Sequence, residues 1–327
     1  MKAWEIRNGD LGLREVEPAY PSENGTVVLV SHTGICGSDV SKLLRPNAFA
    51  LPESWRPGHE IVGTDPTGHT VAVDPLVPCG ICTRCVDEDT HLCPDLRRLG
   101  WDLPGGFAEQ VVIPATNAHP VLDGVDLLHA VLADPAAVAI HGLRCNPIGP
   151  PGRLAVVGAG TVGLLTALFA HQQGWGVTVV HRDGRAPNSV LIDTVPAAFR
   201  SPSSLADNDV FDLVVDAATG ADPAPFALAL RLVRDGGTMV VQNAYHPAVH
   251  LPTSLRELFR RSVRLIGSFS YCSRNPGDFA LALDLLHDHA TVVAHLVAET
   301  GDLTELPSVL AHRSTRAVRQ VLTVIGS

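Results

Sequence analysis

Aromatic side chains are scarce in this chain, 5% of 327 residues, so composition gives no support to a large flat aromatic ligand. Positive charge is also short. There are 24 Lys and Arg against 34 Asp and Glu, a formal net charge of −10, and the cations are scattered, not gathered in a patch. Such a field repels phosphate backbones and anionic lipid, which excludes nucleic acid and membrane as expected partners. A signal core is missing too. Met-Lys-Ala-Trp-Glu-Ile-Arg runs straight into strand-like sequence, and a soluble, cytoplasmic protein is expected. The one long uncharged stretch, Leu154 to Val180, is interrupted by Gly158, Gly160, Gly163, Gly174 and Gly176 and by His171-Gln-Gln173. It reads as strand, turn, helix and strand, not as a membrane span. Internal repeats and low-complexity segments are likewise absent.

What is present is the composition of a folded protein: 46% apolar and 18% charged, long enough for two domains. Up to about Thr116 the apolar runs are short, β-branched and punctuated by Gly and Pro, as in Thr26–Val30, Glu60–Gly63, Thr70–Val73 and Gln110–Ile113. They predict an all-β, barrel-like unit. From about Pro135, apolar strands (Leu154–Val157, Val177–Val180, Phe211–Asp216, Thr238–Gln242, Val263–Ile266) alternate with helical runs (Pro135–Leu143, Val162–Gln173, Pro223–Val233, Ser254–Arg260). That alternation predicts a parallel sheet covered on both faces. A helix over Pro276–His287 and two strand-like runs then return to the first texture.

Seven cysteines stand at 36, 79, 82, 85, 93, 145 and 272. An odd count with four in one cluster favours metal ligation over disulfides. Cys79-Gly-Ile-Cys82-Thr-Arg-Cys85, followed after seven residues by Cys93, can close a four-sulfur tetrahedron around zinc. A closed shell of that kind holds a loop and does no chemistry.

Other possible ligands are dispersed. Cys36 lies in Gly34-Ile-Cys-Gly-Ser-Asp39, and His59 and Glu60 lie in Pro57-Gly-His-Glu60, both where loop meets strand. Thiolate and imidazole suit zinc, and a third protein ligand would leave a fourth position for a substrate oxygen. Taken singly, Cys36 is more often a small buried hydrophobe and His59 a satisfied loop histidine. Asp134, followed by Pro135 and an Ala-rich run, reads as a helix N-cap, a role that ligation would not prevent. His141 reads as structural.

Leu154-Ala-Val-Val157 leads into Gly158-Ala-Gly160-Thr161-Val162-Gly163 and an apolar helix. This is a dinucleotide-binding fingerprint in its proper context, with a helix N-terminus to receive the pyrophosphate. After the second strand the chain reads His181-Arg182-Asp183. A carboxylate is missing where a ribose 2′-hydroxyl would be held, and His181 with Arg182 suits a 2′-phosphate. NADP is therefore expected over NAD; the alternative has Arg182 as a solvated loop charge and Asp183 on the ribose. Only a short Gly/Pro/Asn-containing link, without the usual helix, is expected between Arg182 and Val190.

Cys36-Gly-Ser-Asp, Gly58-His-Glu60, the four-cysteine lobe and Gly158-Ala-Gly-Thr-Val-Gly163 occur in the order seen in the medium-chain, zinc-containing alcohol and polyol dehydrogenases. Over essentially its whole length the chain resembles that family, most of all its sorbitol/threonine-dehydrogenase-like branch. The resemblance implies a GroES-like barrel catalytic domain over residues 1–136, with 269–327 returning to it, and a Rossmann doubly wound domain over 137–268. It implies two zinc ions per chain: one catalytic on Cys36, His59 and Glu60 or Asp134, and one structural on the cysteine lobe. It further implies hydride transfer between a secondary alcohol and NAD(P), with Ser38 as first proton carrier, and assembly as a homodimer or homotetramer. The family's relay histidine, five residues after the cysteine, is replaced by Ser41, so proton exit is expected through Ser41 and water, another group or the coenzyme ribose. The substrate pocket is expected near Leu43–Trp55, Trp101 and Phe269–Arg274. Two other activities fit the same fold: a zinc-free quinone or enone reductase, and an NADP-binding sensor module.

Overall fold

The computed structural model describes the chain except residues 50, 221, 243–244, 246–248, 312–318 and 325–327. It divides into two compact units, Met1–Asp134 with Cys272–Ser327, and Pro135–Tyr271.

In the first unit the β-branched run after Asn24 becomes the ten-residue strand Gly25–Gly34. It pairs antiparallel with Glu60–Thr64, Gln110–Pro114 and Arg319–Thr323, making it the hub of a seven-stranded sheet. Alternation of side chains puts Val28 and Val30 inward with Ile61, Val71, Val73, Val111 and Ile113, a core of the kind such branched residues fill well. Glu60 opens its strand directly opposite Gly34. Cys36, two residues past the end of the hub strand, is the N-cap of the helix Gly37–Leu44. The sheet's hub therefore carries the thiol on one strand end and His59-Glu60 on its neighbour.

The second unit is a six-stranded parallel sheet in the order Ala198–Arg200, Gly176–Val180, Arg153–Val157, Phe211–Asp216, Val233–Val241, Arg264–Gly267. Its central strands are almost continuously buried, as a sheet covered on both faces requires. The helix Thr161–Gln172 packs on the first two of these strands in the sequence; its residues 163–170 are buried on every side. Among the described residues no helix is long and apolar enough to cross a membrane.

Two local expectations are corrected. Asp134 is not an N-cap. The helix begins at Ala133, so Asp134 already lies inside its first turn, and the backbone is helical as early as Val131. A helix, Ser189–Thr194, does follow the short link after Arg182, and the Asn188 side chain accepts a hydrogen bond from Leu191 N at 2.9 Å and caps its first turn. Gly184 and Pro187 lie before that cap, outside the helix, and do not oppose it.

Candidate metal centres and coenzyme site

The four lobe cysteines meet as the spacing requires. Their sulfurs all lie within 4.8 Å of one another, with Cys82 to Cys85 at 3.5 Å and Cys79 to Cys85 at 3.9 Å. A tetrahedron with Zn–S bonds near 2.3 Å has edges of about 3.8 Å, so the set fits zinc. It does not fit disulfides, and all seven cysteines are free. Two backbone N–H groups, of Ile81 and Cys82, hold the Cys79 thiol down at about 7. Burial and the neighbouring Cys82 push Cys85 up to about 12. A divalent cation is what would let all four ionise together.

Cys36, His59 and Glu60 form a second group, with one sulfur, one nitrogen and one oxygen within 4.8 Å of one another. His59 is 4% exposed and Glu60 1%. Burial alone would raise the Cys36 thiol, but the charges of Arg319 and His59 bring it down to about 6. Burial pushes the Glu60 carboxyl up to about 8 against the pull of Arg319. Glu60 Oε1 is buried with no hydrogen-bond partner among the described residues. Three different donors converge in a dry place with an oxygen unused, and that donor set suits zinc. Asp134 stands at the edge of this group. Its Oδ2 lies 4.0 Å from His59 Nε2, near enough to belong to the same centre, yet it is outside the tight trio.

Three contributors escaped sequence reasoning. Asp39 is fully buried, and its Oδ2 is 3.1 Å from His59 Nδ1. The contact raises the histidine well above its ordinary range against the effect of burial and turns Nε2 away from Asp39, towards the other donors. The signal was available, since Asp39 sits one helical turn after Cys36. Arg319 is buried with Nε 3.0 Å from Glu60 Oε2, and its Nη1 donates to Ile35 O at 3.1 Å. A single arginine opening an apolar strand was its only mark. Lys42 is the third. Its Nζ lies 4.2 Å from the Trp101 ring centroid and 5.5 Å from that of Trp55, and Trp101 in turn packs on the His59 ring with centroids 4.2 Å apart. Ser38 and Ser41 are exposed on the same short helix.

At the glycine fingerprint, Gly158 has φ +118° and lies against the backbone of Ala217 and Ala218, and a Cβ on Gly163 would come within 2.0 Å of Gly158 O. The first glycine allows the turn and the third allows the helix to close on it. Gly160 differs. It caps the helix, and among the described residues a Cβ there would meet nothing within 4 Å. That open space at the helix N-terminus, beside Thr161 and Val162, suits a pyrophosphate. Beyond the next strand, Arg182 is exposed, and His181 Nδ1 pairs with Arg182 O at 3.0 Å. Asp183 accepts a 2.6 Å hydrogen bond from the Ser203 hydroxyl, which holds its carboxyl below the usual range.

Residues 22–123 match the alcohol dehydrogenase GroES-like domain. The chain is similar to the D-altritol 5-dehydrogenase of Agrobacterium fabrum, 32% identical over 92% of each chain. It is also similar to the L-galactonate-5-dehydrogenase of Escherichia coli, 29% identical over 83% of this chain and 82% of that one. In structure it resembles a zinc-binding dehydrogenase from Sinorhizobium meliloti bound to NADP, with TM-score 0.85, 25% identity and 98% of each chain covered. The barrel, the parallel sheet and the whole-length likeness agree, and the chain belongs to the zinc-type, medium-chain alcohol and polyol dehydrogenases, a family of NAD(P)-dependent oxidoreductases.

Proposed function

We propose that the chain carries two zinc ions, prefers NADP, and oxidises or forms a secondary alcohol on a polyol, cyclitol or sugar-like substrate. Cys36, His59 and a carboxylate of Glu60 or Asp134 hold the catalytic ion; Cys79, Cys82, Cys85 and Cys93 hold the structural one. The observation that carries this reading is the meeting of three chemically different donors, Cys36, His59 and Glu60, within 4.8 Å. The similar proteins named for D-altritol and L-galactonate support a polyol-type substrate.

Zinc bound there supplies Lewis acidity, which lowers the pKa of an alcohol hydroxyl towards neutrality. The protein's own groups do the rest. Asp39 fixes the ring orientation of His59, and Arg319 holds Glu60 near the other donors as a neighbouring, exchangeable ligand. Ser38 lies one residue beyond the helix start, exposed, and takes the proton of the substrate hydroxyl. Ser41, three residues on and on the same helix face, is also exposed and passes that proton to water.

Preference for NADP rests on Arg182, exposed at the end of the second strand, and on Asp183, whose carboxylate is occupied by Ser203 and is not offered to a ribose diol. The NADP-bound structural relative supports it. A homodimer or homotetramer is supported by the edge strand Arg264–Gly267 and by Leu255 and Phe259, 80% and 85% exposed on the helix that precedes it in the chain. Free cysteines throughout the described chain fit a reducing cytoplasm.

Metal analysis of the gently purified protein, run with a coenzyme-reduction screen over polyols, cyclitols and simple secondary alcohols with NAD and NADP in parallel, tests the reading. Two zinc ions per chain and zinc-dependent turnover are expected. Full activity in protein stripped of zinc would refute it.

A further inference from the structure

Among the described residues Lys42 is a cation that makes no hydrogen bond, and its Nζ is screened from water. Two indole faces, Trp101 at 4.2 Å and Trp55 at 5.5 Å, offset part of the cost of keeping it there. The charged groups acting on it include Asp39, Arg98, Cys36 and Asp102, and neither carboxylate accepts a hydrogen bond from it. Asp39 is paired with His59 at 3.1 Å. Asp102 accepts from Arg98 N and Nε, each at 3.0 Å. Burial lowers the ammonium to about 8, so it is still charged at neutral pH.

An ammonium offers three N–H donors, and leaving them unmet in a dry place is unfavourable unless an acceptor arrives from outside. Position matters as much as charge. Trp101 touches both Lys42 and His59, so the ammonium stands one indole away from the proposed metal centre. That distance suits a substrate whose reacting hydroxyl is at the metal while a group a few carbons along the chain meets the lysine. Four rotatable bonds let the side chain turn its head from the indoles towards such a group.

Resting on the dehydrogenase reading above, we infer that Lys42 reads an anionic group on the substrate, so that the preferred alcohol is a polyol carrying a carboxylate or phosphate and not a neutral one. The similar proteins are named for both kinds, neutral D-altritol and anionic L-galactonate, and the lysine decides between them here. A desolvated charge that gains a charge-assisted partner discriminates by on the order of tenfold or more.

The test compares kcat/KM of the zinc-loaded, full-length enzyme for an alditol, the matching aldonate and the matching alditol phosphate, in wild type, Lys42→Met and Lys42→Arg. Expected is a wild-type preference of about tenfold or more for one of the anionic compounds. The aldonate or the phosphate being the better substrate identifies the source of the charge. Lys42→Met should erase the anionic-to-neutral ratio and Lys42→Arg should keep it. Because the readout is a ratio, a general loss of stability or activity cancels. The KM for the anion should rise with ionic strength in wild type and lose that dependence in Lys42→Met. Equal use of neutral and anionic polyols by wild type, or an unchanged ratio in Lys42→Met, overturns the inference while leaving the dehydrogenase reading intact. If no alcohol of either kind reduces coenzyme, the dehydrogenase reading fails and this inference fails with it.

Discussion

Asp39 Oδ2 stands 3.1 Å from His59 Nδ1, with Asp39 fully buried and His59 nearly so. A carboxylate behind a ligating imidazole fixes its tautomer and its aim, and such outer partners are worth about 10–100-fold in metal affinity. Asp39→Asn should therefore lose zinc from the Cys36 centre at about 10–100-fold lower chelator concentration, while the cysteine lobe keeps its ion. Equilibrium dialysis against graded chelator, followed by metal analysis, measures this. Equal zinc retention in wild type and variant would show the contact to be idle.

The four-sulfur lobe makes a separate forecast. Cys82→Ser removes one corner of a set whose sulfurs already lie at tetrahedral spacing. Metal content should drop by one zinc per chain. Because metal binding to such a lobe is also its folding energy, the segment around Cys79–Cys93 should become the first site of proteolysis. A variant that still binds two zinc ions and resists protease like wild type contradicts the assignment.

For coenzyme choice, Arg182→Ala should raise the KM for NADP about 10–100-fold, the worth of one hydrogen-bonded charge pair on phosphate, and leave that for NAD within a few-fold. Steady-state kinetics with both coenzymes decides it. An equal effect on the two would make Arg182 a solvated loop charge.

Stability in acid turns on carboxylates such as Asp212. It accepts from Arg153 N at 2.8 Å and from Arg234 Nε at 2.6 Å, contacts that hold its carboxyl below the ordinary value, the backbone hydrogen bond most of all. A depressed folded-state pKa stabilises above the unfolded value, near 4, and the contribution is lost as pH falls through the folded pKa. Asp212→Asn should thus lower Tm at pH 7, by the equivalent of about 1 kcal/mol, with the gap to wild type closing progressively below about pH 4. Thermal melts across pH measure the gap. A gap that widens in acid would have the wrong sign.

Much of this architecture is legible in the chain because its signals are local. β-Branched alternation marks Gln110–Ile113, an uncharged apolar run marks Leu154–Val157, and the cysteine spacing alone brings the four sulfurs together. What stayed hidden depends on distance in sequence. Arg319 meets Glu60 from 259 positions away, and nothing near Glu60 announces a buried cation. The aromatic stack of Lys42, Trp101 and His59 joins three segments that share no periodicity. Asp134-Pro135 carries a cap signal in sequence. The preceding turn, already helical at Val131, had taken that role over, and only tertiary structure shows it.

The fingerprint glycines separate folding from binding. At Gly163 an added methyl would sit 2.0 Å from Gly158 O, a clash with backbone that only a shift of the helix can relieve, so Gly163→Ala should lower Tm by several degrees. At Gly160 the same methyl meets no atom of the described residues within 4 Å, and Gly160→Ala should melt like wild type. The space it fills is the space proposed for the pyrophosphate, where backbone must approach the phosphates closely. Gly160→Ala should therefore weaken NADP binding by about tenfold or more, a loss of at least ~1.4 kcal/mol, read by titrating the protein's tryptophan fluorescence with coenzyme. If the stable Gly160→Ala protein binds NADP as tightly as wild type, the coenzyme lies elsewhere, and the fingerprint serves only to pack the helix on its strand.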